Sequence, residues 1–209
     1  AGLRRGWIDA EVEAGAADLP AVAVDHGALT ARLIVDRLDD VSFPHQGIFL
    51  RLESLLSREG LGGHRAYDRV ELEAKGFGTT GPHTGFATAT VGSSLGSDLP
   101  AYEVFRLGGF LSLSGFGEGA LRGAYLGVAR VGYLYRFARI PPALRGVYLA
   151  AWAEAGNVWD RGGDVALDDL LWTGTVALGA DTGLGPVFLA YGAGEDGDDR
   201  IYIAIGTTF

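Results

Sequence analysis

The chain has 209 residues, a formal net charge of −9, no cysteine and no clustered basic face. Phosphate neutralisation needs concentrated Lys and Arg, so nucleic acid is not an expected partner. Disulfide frameworks, thiolate metal sites and Cys nucleophiles are excluded outright. Although 34 residues are Gly, 48% are hydrophobic, too many for a disordered Gly-rich chain. No stretch approaches the roughly 20 apolar residues of a membrane helix, so a membrane reading survives only as a β-barrel. A chain that opens on Ala1 and contains no Met is expected to be a piece of a longer protein.

Along the chain the recurring signal is alternation with period two. It appears first where Asp9, Glu11 and Glu13 interleave with Ile8, Ala10 and Val12, and again where Arg32 and Asp36 interleave with Ala31, Leu33 and Val35. Arg51 and Glu53 then alternate with Ile48, Leu50 and Leu52. Arg69, Glu71, Glu73 and Lys75 alternate with Val70, Leu72, Ala74 and Gly76. Between 125 and 137, Tyr125, Ala129, Val131, Tyr133, Tyr135 and Phe137 oppose Arg130, Gly132 and Arg136. At the end, Ile201, Ile203, Ile205, Thr207 and Phe209 share one face, and Arg200, Tyr202, Ala204, Gly206 and Thr208 the other. Successive side chains of a strand point to opposite faces, so each segment carries one greasy and one polar or small face.

Ten strands follow from this pattern, at about 3–13, 28–37, 46–56, 66–77, 84–93, 121–137, 146–157, 171–181, 184–192 and 200–209. Most have ten residues or more, longer than the five or six usual in soluble sheets and close to the 9–11 of a tilted membrane strand. All seven prolines fall in connections or at a strand's opening, where no ladder donor is lost. Short connections at 139–145 and 182–183 alternate with longer ones at 57–65, 158–170 and 193–199. The longest, 94–120, is expected on the extracellular side.

Such alternation also describes a soluble sandwich or a lipocalin-like barrel binding a small apolar ligand. The two readings differ in which face is buried: a soluble barrel turns its charges outward, a membrane barrel turns them into its lumen. Strand length, the aromatic ends (Tyr133, Tyr135, Phe137, Phe209) and the terminal Phe favour the membrane.

An ordered set of short motifs resembles the bacterial surface antigen family, the barrels that follow POTRA domains in outer-membrane assembly and secretion proteins. Leu33-Ile-Val-Asp-Arg-Leu-Asp-Asp40 and Phe43-Pro44-His-Gln-Gly47 are similar to its Asp-rich strand end and its Phe-Pro-x-x-Gly turn. Leu107-Gly108-Gly109 with Leu113-Ser114-Gly115-Phe116 resembles the Gly-Gly and Val-Arg-Gly-Tyr/Phe elements of its inward-folded sixth loop. Trp152-Ala-Glu154-Ala-Gly156-Asn-Val158 resembles the strand that faces this loop, and Leu184-Gly-Pro-Val187 the opening of its penultimate strand. The final Phe matches its assembly signal. Leu-Ser-Gly in the loop, and Tyr202, Gly206 and Phe209 at the spacing Tyr-x-x-x-Gly-x-x-Phe, look closer to one branch, the barrel of patatin-like phospholipase autotransporters of type Vd secretion.

The resemblance implies an antiparallel transmembrane β-barrel in the bacterial outer membrane, with residues 1–209 supplying the C-terminal ten of sixteen strands and the 94–120 loop plugging the lumen. It further implies bilayer lipid and the outer-membrane assembly machinery as partners, and an upstream patatin-like passenger that the barrel anchors or helps to secrete. The family's loop Arg pairs with the strand carboxylate, here Glu154, but Ser114 occupies the Arg position. Arg122 or Arg130 is therefore expected to supply the cation.

Little else points to chemistry. Gly92-Ser93-Ser94-Leu95-Gly96 fits the Gly-x-Ser-x-Gly pattern, but no helical period follows, as a nucleophile elbow requires. An outer-membrane enzyme built around Ser94 is the competing function, though no catalytic residue is expected here. His26, His45, His64 and His83 read as unrelated connection residues, so no metal is expected. The run Glu195-Asp196-Gly197-Asp198-Asp199 lacks the full pattern of a calcium loop and reads as a solvated loop. No cofactor is implied.

Overall fold

A computed structural model describes residues 2–10, 22–139, 141–142, 144–183, 185–195 and 199–206. Ten strands run in chain order: β1 (Gly2–Ala10), β2 (Val22–Asp36), β3 (Gly47–Ser57), β4 (Tyr67–Thr80), β5 (His83–Ser93), β8 (Tyr125–Arg136), β9 (Gly146–Trp159), β10 (Leu171–Thr182), β11 (Gly185–Gly194) and β12 (Arg200–Ile205). They form one sheet in that order, each antiparallel to its sequence neighbour in the sheet. Each expected segment overlaps one of these strands, most ends lying within three residues. Residues of one parity share a face, so Arg69, Glu71, Glu73 and Lys75 of β4 lie together, while Asp68 falls on the opposite side. Among the described residues β12 pairs with β11 alone, so the sheet is not closed by its own ends.

Two differences from the sequence reading stand out. The segment expected at 121–137 divides into β7 (Leu121–Gly123) and β8. The connection expected to be plain loop contains β6 (Phe105–Leu107), which pairs with β7 as a separate hairpin. Three residues of alternation are too few to register as a pattern. His26 and His83, expected in connections, fall within β2 and at the start of β5.

One face of the sheet is concave and filled. Phe43, in the turn after β2, stacks on Tyr148 of β9 with ring centroids 4.2 Å apart and meets Phe188 of β11 at 5.3 Å. Strands this distant in the ladder can share a phenyl ring only if the sheet curls. Phe77, Phe86, Leu111, Leu134, Ala150, Trp152, Ala177 and Ala190 belong to the same cluster. Gly132 admits it: a Cβ there would sit 2.4 Å from the Phe86 ring and 2.6 Å from Trp152 Cβ.

The opposite face is apolar and bare. Ile201, Ile203 and Ile205 are 75%, 77% and 66% exposed, and Leu189, Val176, Leu178, Leu149, Val131, Leu72, Leu50 and Ile48 are exposed beside them. Arg32, Arg51, Glu53, Arg69, Glu71, Glu73 and Lys75 of β2–β4 lie on the concave side in a ladder. Arg32 Nε meets Glu53 Oε1 at 2.8 Å, Arg51 Nη2 meets Glu73 Oε2 at 2.7 Å, and Lys75 Nζ meets Glu73 Oε1 at 3.2 Å. Glu53 and Glu71 are direct cross-strand partners, and Arg69, 2.6 Å from Glu71, offsets their repulsion. Monomeric soluble proteins rarely expose an apolar face this continuous, and this arrangement inverts a soluble barrel.

Candidate functional site: the inward loop and its carboxylate

The site is assembled where the loop between β5 and β8 reaches back across the concave face. Its backbone makes unusual turns: Leu111 and Leu113 have φ of 62° and 59°, and Gly108 and Gly109 have φ of 115° and 109°. A Cβ on Gly108 would lie 2.3 Å from the Gly117 carbonyl oxygen, so only Gly fits. Leucines in the left-handed region carry strain that the surrounding structure must over-determine.

The loop is fastened on both sides. At β6, fully buried Phe105 lies against Gly92, where a Cβ would sit 2.4 Å from its ring, and the Arg69 guanidinium covers it 4.2 Å from the centroid. At the other end Leu113, Ser114, Gly115 and Phe116 are all buried against β9–β12. Gly115 lies directly on the β11 backbone, where a Cβ would stand 2.5 Å from Gly194 N. A Cβ on Gly192 would stand 2.5 Å from Ser114 O.

Glu154, on the inward face of β9, is the polar centre. Its cross-strand partners are Arg130 on β8 and Thr173 on β10. Glu154 Oε2 accepts the Ser114 main-chain N–H at 2.7 Å and the Thr173 hydroxyl at 2.9 Å, while Oε1 lies 3.4 Å from Arg130 Nε. Arg130 also donates to the Leu111 carbonyl, so a single guanidinium touches both strand and loop. Ser114 Oγ accepts from Leu111 N at 3.2 Å, closing the turn from within. From β12, the Tyr202 hydroxyl donates to Ser114 O at 2.7 Å and to Phe116 O at 3.1 Å. The carboxylate is fully buried yet has an ion-pair partner and two hydrogen-bond donors, which is how buried charge is tolerated.

Of the residues singled out in the sequence, the structure brings together Leu113, Ser114, Gly115 and Phe116, Trp152 and Glu154, Arg130 and Tyr202. Trp152 meets Phe110 of the loop edge-on at 5.8 Å. Gly156 lies on the same strand face, where a Cβ would press on Gly127 O and Val128. Of the two cations expected for Glu154, Arg130 lies beside it, while Arg122 stands exposed on the β6–β7 hairpin. Tyr202, expected to serve a C-terminal signal, turns its side chain inward onto the loop. Gly206 ends β12 with φ of 76°, its N–H on Pro186 O. Phe209, Leu184 and Asp196 to Asp198 lie outside the described residues. Sequence reasoning missed Thr173 and the main-chain groups of Leu111 and Ser114. Only the alignment of Thr173 with Glu154 across neighbouring strands marks it, and that needs the register.

The remaining candidates stand apart from this site. Ser94 is buried at the end of β5, its N–H bonded to Ala124 O, and a turn rather than a helix follows it. His45 lies beside Asp39 at 3.5 Å, and His83 bonds to Tyr133. Among the described residues no three His, Asp or Glu side chains converge as metal ligands. Asp199 accepts the Tyr191 hydroxyl at 2.7 Å.

Comparison with known proteins places this arrangement. No curated protein matches the sequence. Among solved structures, the fold is similar to the crystal structure of BamA from Haemophilus ducreyi lacking POTRA domains 1-3, with a TM-score of 0.72 and 15% identity. The match covers 88% of this chain and 42% of that one, so the chain spans less than half the length of that structure. At this identity the likeness is one of fold. The sequence itself carries the family: residues 23–209 match the model of the Omp85 superfamily domain, and the chain belongs to that superfamily.

Proposed function

We propose that the chain forms the C-terminal ten main strands of a sixteen-stranded barrel in the bacterial outer membrane, anchoring or helping to secrete an upstream patatin-like phospholipase passenger. One observation carries the membrane reading: the continuous face of Ile, Val and Leu is turned outward, while charged residues line the concave side. Bilayer hydrocarbon satisfies the first and a hydrated lumen the second. No helix among the described residues is long enough to cross a membrane, and a barrel crosses with strands.

The loop acts mechanically. Held by Phe105 at one wall and by Ser114, Gly115 and Phe116 at the other, it spans the concave face and occludes the lumen. Glu154 and Arg130 tie it to adjacent strands, so its position is coupled to theirs. The finer assignment to patatin-like autotransporters is supported by Leu113-Ser114-Gly115 and by Tyr202, Gly206 and Phe209 at the spacing of that branch. An outer-membrane assembly or translocation barrel without an enzymatic passenger is the second reading, favoured by the likeness to BamA.

The deciding experiment is heat-modifiability of the full-length protein, extracted in detergent and run with and without boiling, combined with fractionation of the membranes. A mobility shift and outer-membrane fractionation are expected; a protein soluble without detergent and showing no shift would overturn the membrane reading. Lipid acyl hydrolysis by the same full-length preparation separates the passengers. Activity supports the patatin-like assignment, and its absence moves the reading to an assembly barrel.

A further inference from the structure

The β6–β7 hairpin turns Phe105 and Leu107 onto the sheet and presents Arg106 and Arg122 on its exposed face. The two arginines are direct cross-strand partners. Side chains so placed stand about 4.5–5.5 Å apart at Cβ, where like charges repel. No carboxylate among the described residues forms an ion pair with either guanidinium. Arg122 Nε donates to the Gly119 carbonyl, at 3.5 Å. Between them opens a cavity of about 430 Å³ lined by Arg106, Gly108, Glu118, Gly119 and Arg122. Arg200, at the start of β12, borders the same segment, its Nη2 lying 3.4 Å from where a Cβ on Gly117 would be. The intervening turn is held by Gly119 N on Gly108 O at 3.2 Å and Ala120 N on Gly117 O at 3.1 Å.

Glu118 also lines the cavity, but among the described residues it forms no ion pair with either guanidinium, so in a chain of net charge −9 the two opposed arginines define a place for an exogenous anion. We propose that this cavity binds a phosphate-bearing ligand between Arg106 and Arg122. A carboxylate presents one edge and suits a single fork. A phosphate presents oxygens on several sides and accepts from two forks at once. The ligand offsets a repulsion that the hairpin otherwise carries, and it fixes the hairpin to which the loop's Gly108 and Gly109 are joined. Its source is either free phosphate or the headgroup of a phosphorylated lipid at the long-loop rim.

The test uses full-length protein in detergent, with inorganic pyrophosphate as the probe, titrated calorimetrically against wild type, the double variant R106Q/R122Q, and R161Q as a control on another exposed loop arginine. Each variant is first checked for the heat-dependent mobility shift, and R106K/R122K, which keeps the charge but loses the forks, serves where the glutamine variant fails to fold. Saturable, salt-sensitive binding by wild type and R161Q is expected, weakened roughly tenfold or more in the double variant. No saturable binding, or equal binding by wild type and double variant, overturns the proposal. Pyrophosphate is also expected to raise the unfolding midpoint of wild type and not that of the double variant. Nanodiscs containing a diphosphorylated lipid, compared with the same lipid dephosphorylated, separate the sources: competition by the phosphorylated form alone identifies the headgroup, and its failure identifies free phosphate.

Discussion

Ser114 meets Glu154 through its main chain, the N–H lying 2.7 Å from Oε2 across a sequence separation of 40 residues. The side chain at 114 therefore does not decide whether the loop is tied to the strand. In the resembled family an arginine holds that position. Here a backbone donor fills part of its role, and Arg130, on the neighbouring strand, supplies the charge.

Removing the carboxylate tests this division. Glu154→Leu leaves Arg130, which is itself largely buried, without its counter-ion, and is expected to destabilise the folded form by about 3–5 kcal/mol. Adding Arg130→Met to that variant should recover much of the loss, because no charge is then left buried alone. Urea unfolding of the detergent-solubilised protein, followed by heat-modifiability, reads both; equal losses in the single and double variants would contradict the pairing.

Ser114→Ala removes only the Oγ contact to Leu111 N and should cost about 1 kcal/mol. Tyr202→Phe removes the donor to both Ser114 O and Phe116 O, and should cost about 1–3 kcal/mol. The second change should also raise protease cleavage between 108 and 120, which the first should leave nearly unaltered. Limited proteolysis compares them directly.

Close backbone approach makes a sharper prediction. Gly115→Ala and Gly192→Ala each force a Cβ to within 2.5 Å of main-chain atoms, so both should displace the loop from β11. Gly174→Ala, on the exposed face with nothing within 4 Å, should be tolerated. Protease sensitivity of the loop in all three variants checks this.

The turn after β2 responds to acid. Burial pushes the Asp39 carboxyl up, but the backbone N–H groups of Gln46 and His45 and the nearby His45 ring more than offset it, and its pKa falls below the usual 3.8. A depressed carboxyl contributes stability that is present above the unfolded pKa and lost as the pH drops through the lower folded value. The turn that carries Phe43 into the core should thus loosen below about pH 3.8. Asp39→Asn should be less stable than wild type at neutral pH and converge with it in acid, as followed by near-UV dichroism.

The outward face gives a prediction tied to the membrane. Ile203→Arg should destabilise the protein in bilayers by about 2–4 kcal/mol if the residue lies near the midplane, while Ile203→Leu should be nearly neutral. Reversible unfolding from lipid vesicles measures both, and indifference to the arginine would place this face in water.

The ten main strands, their spacing and the alternation of most into a greasy and a polar or small face were legible in the sequence, because side-chain alternation is a local property of extended backbone. Glu154 was legible as a carboxylate needing a cation, and Arg130 as one of two candidates. Which face is concave was not, since alternation is symmetric between inside and outside until the sheet curls and Phe43 meets Phe188. The choice of Arg130 over Arg122 required the register that sets Arg130 opposite Glu154, and a slip by one residue would have turned it to the other face. The β6–β7 hairpin, the bonding of Tyr202 to the loop carbonyls and the donation from the Ser114 main chain had no sequence signature. They depend on backbone groups that every residue carries, and only the packing of the loop onto Gly192 and Gly194 brings those groups within reach.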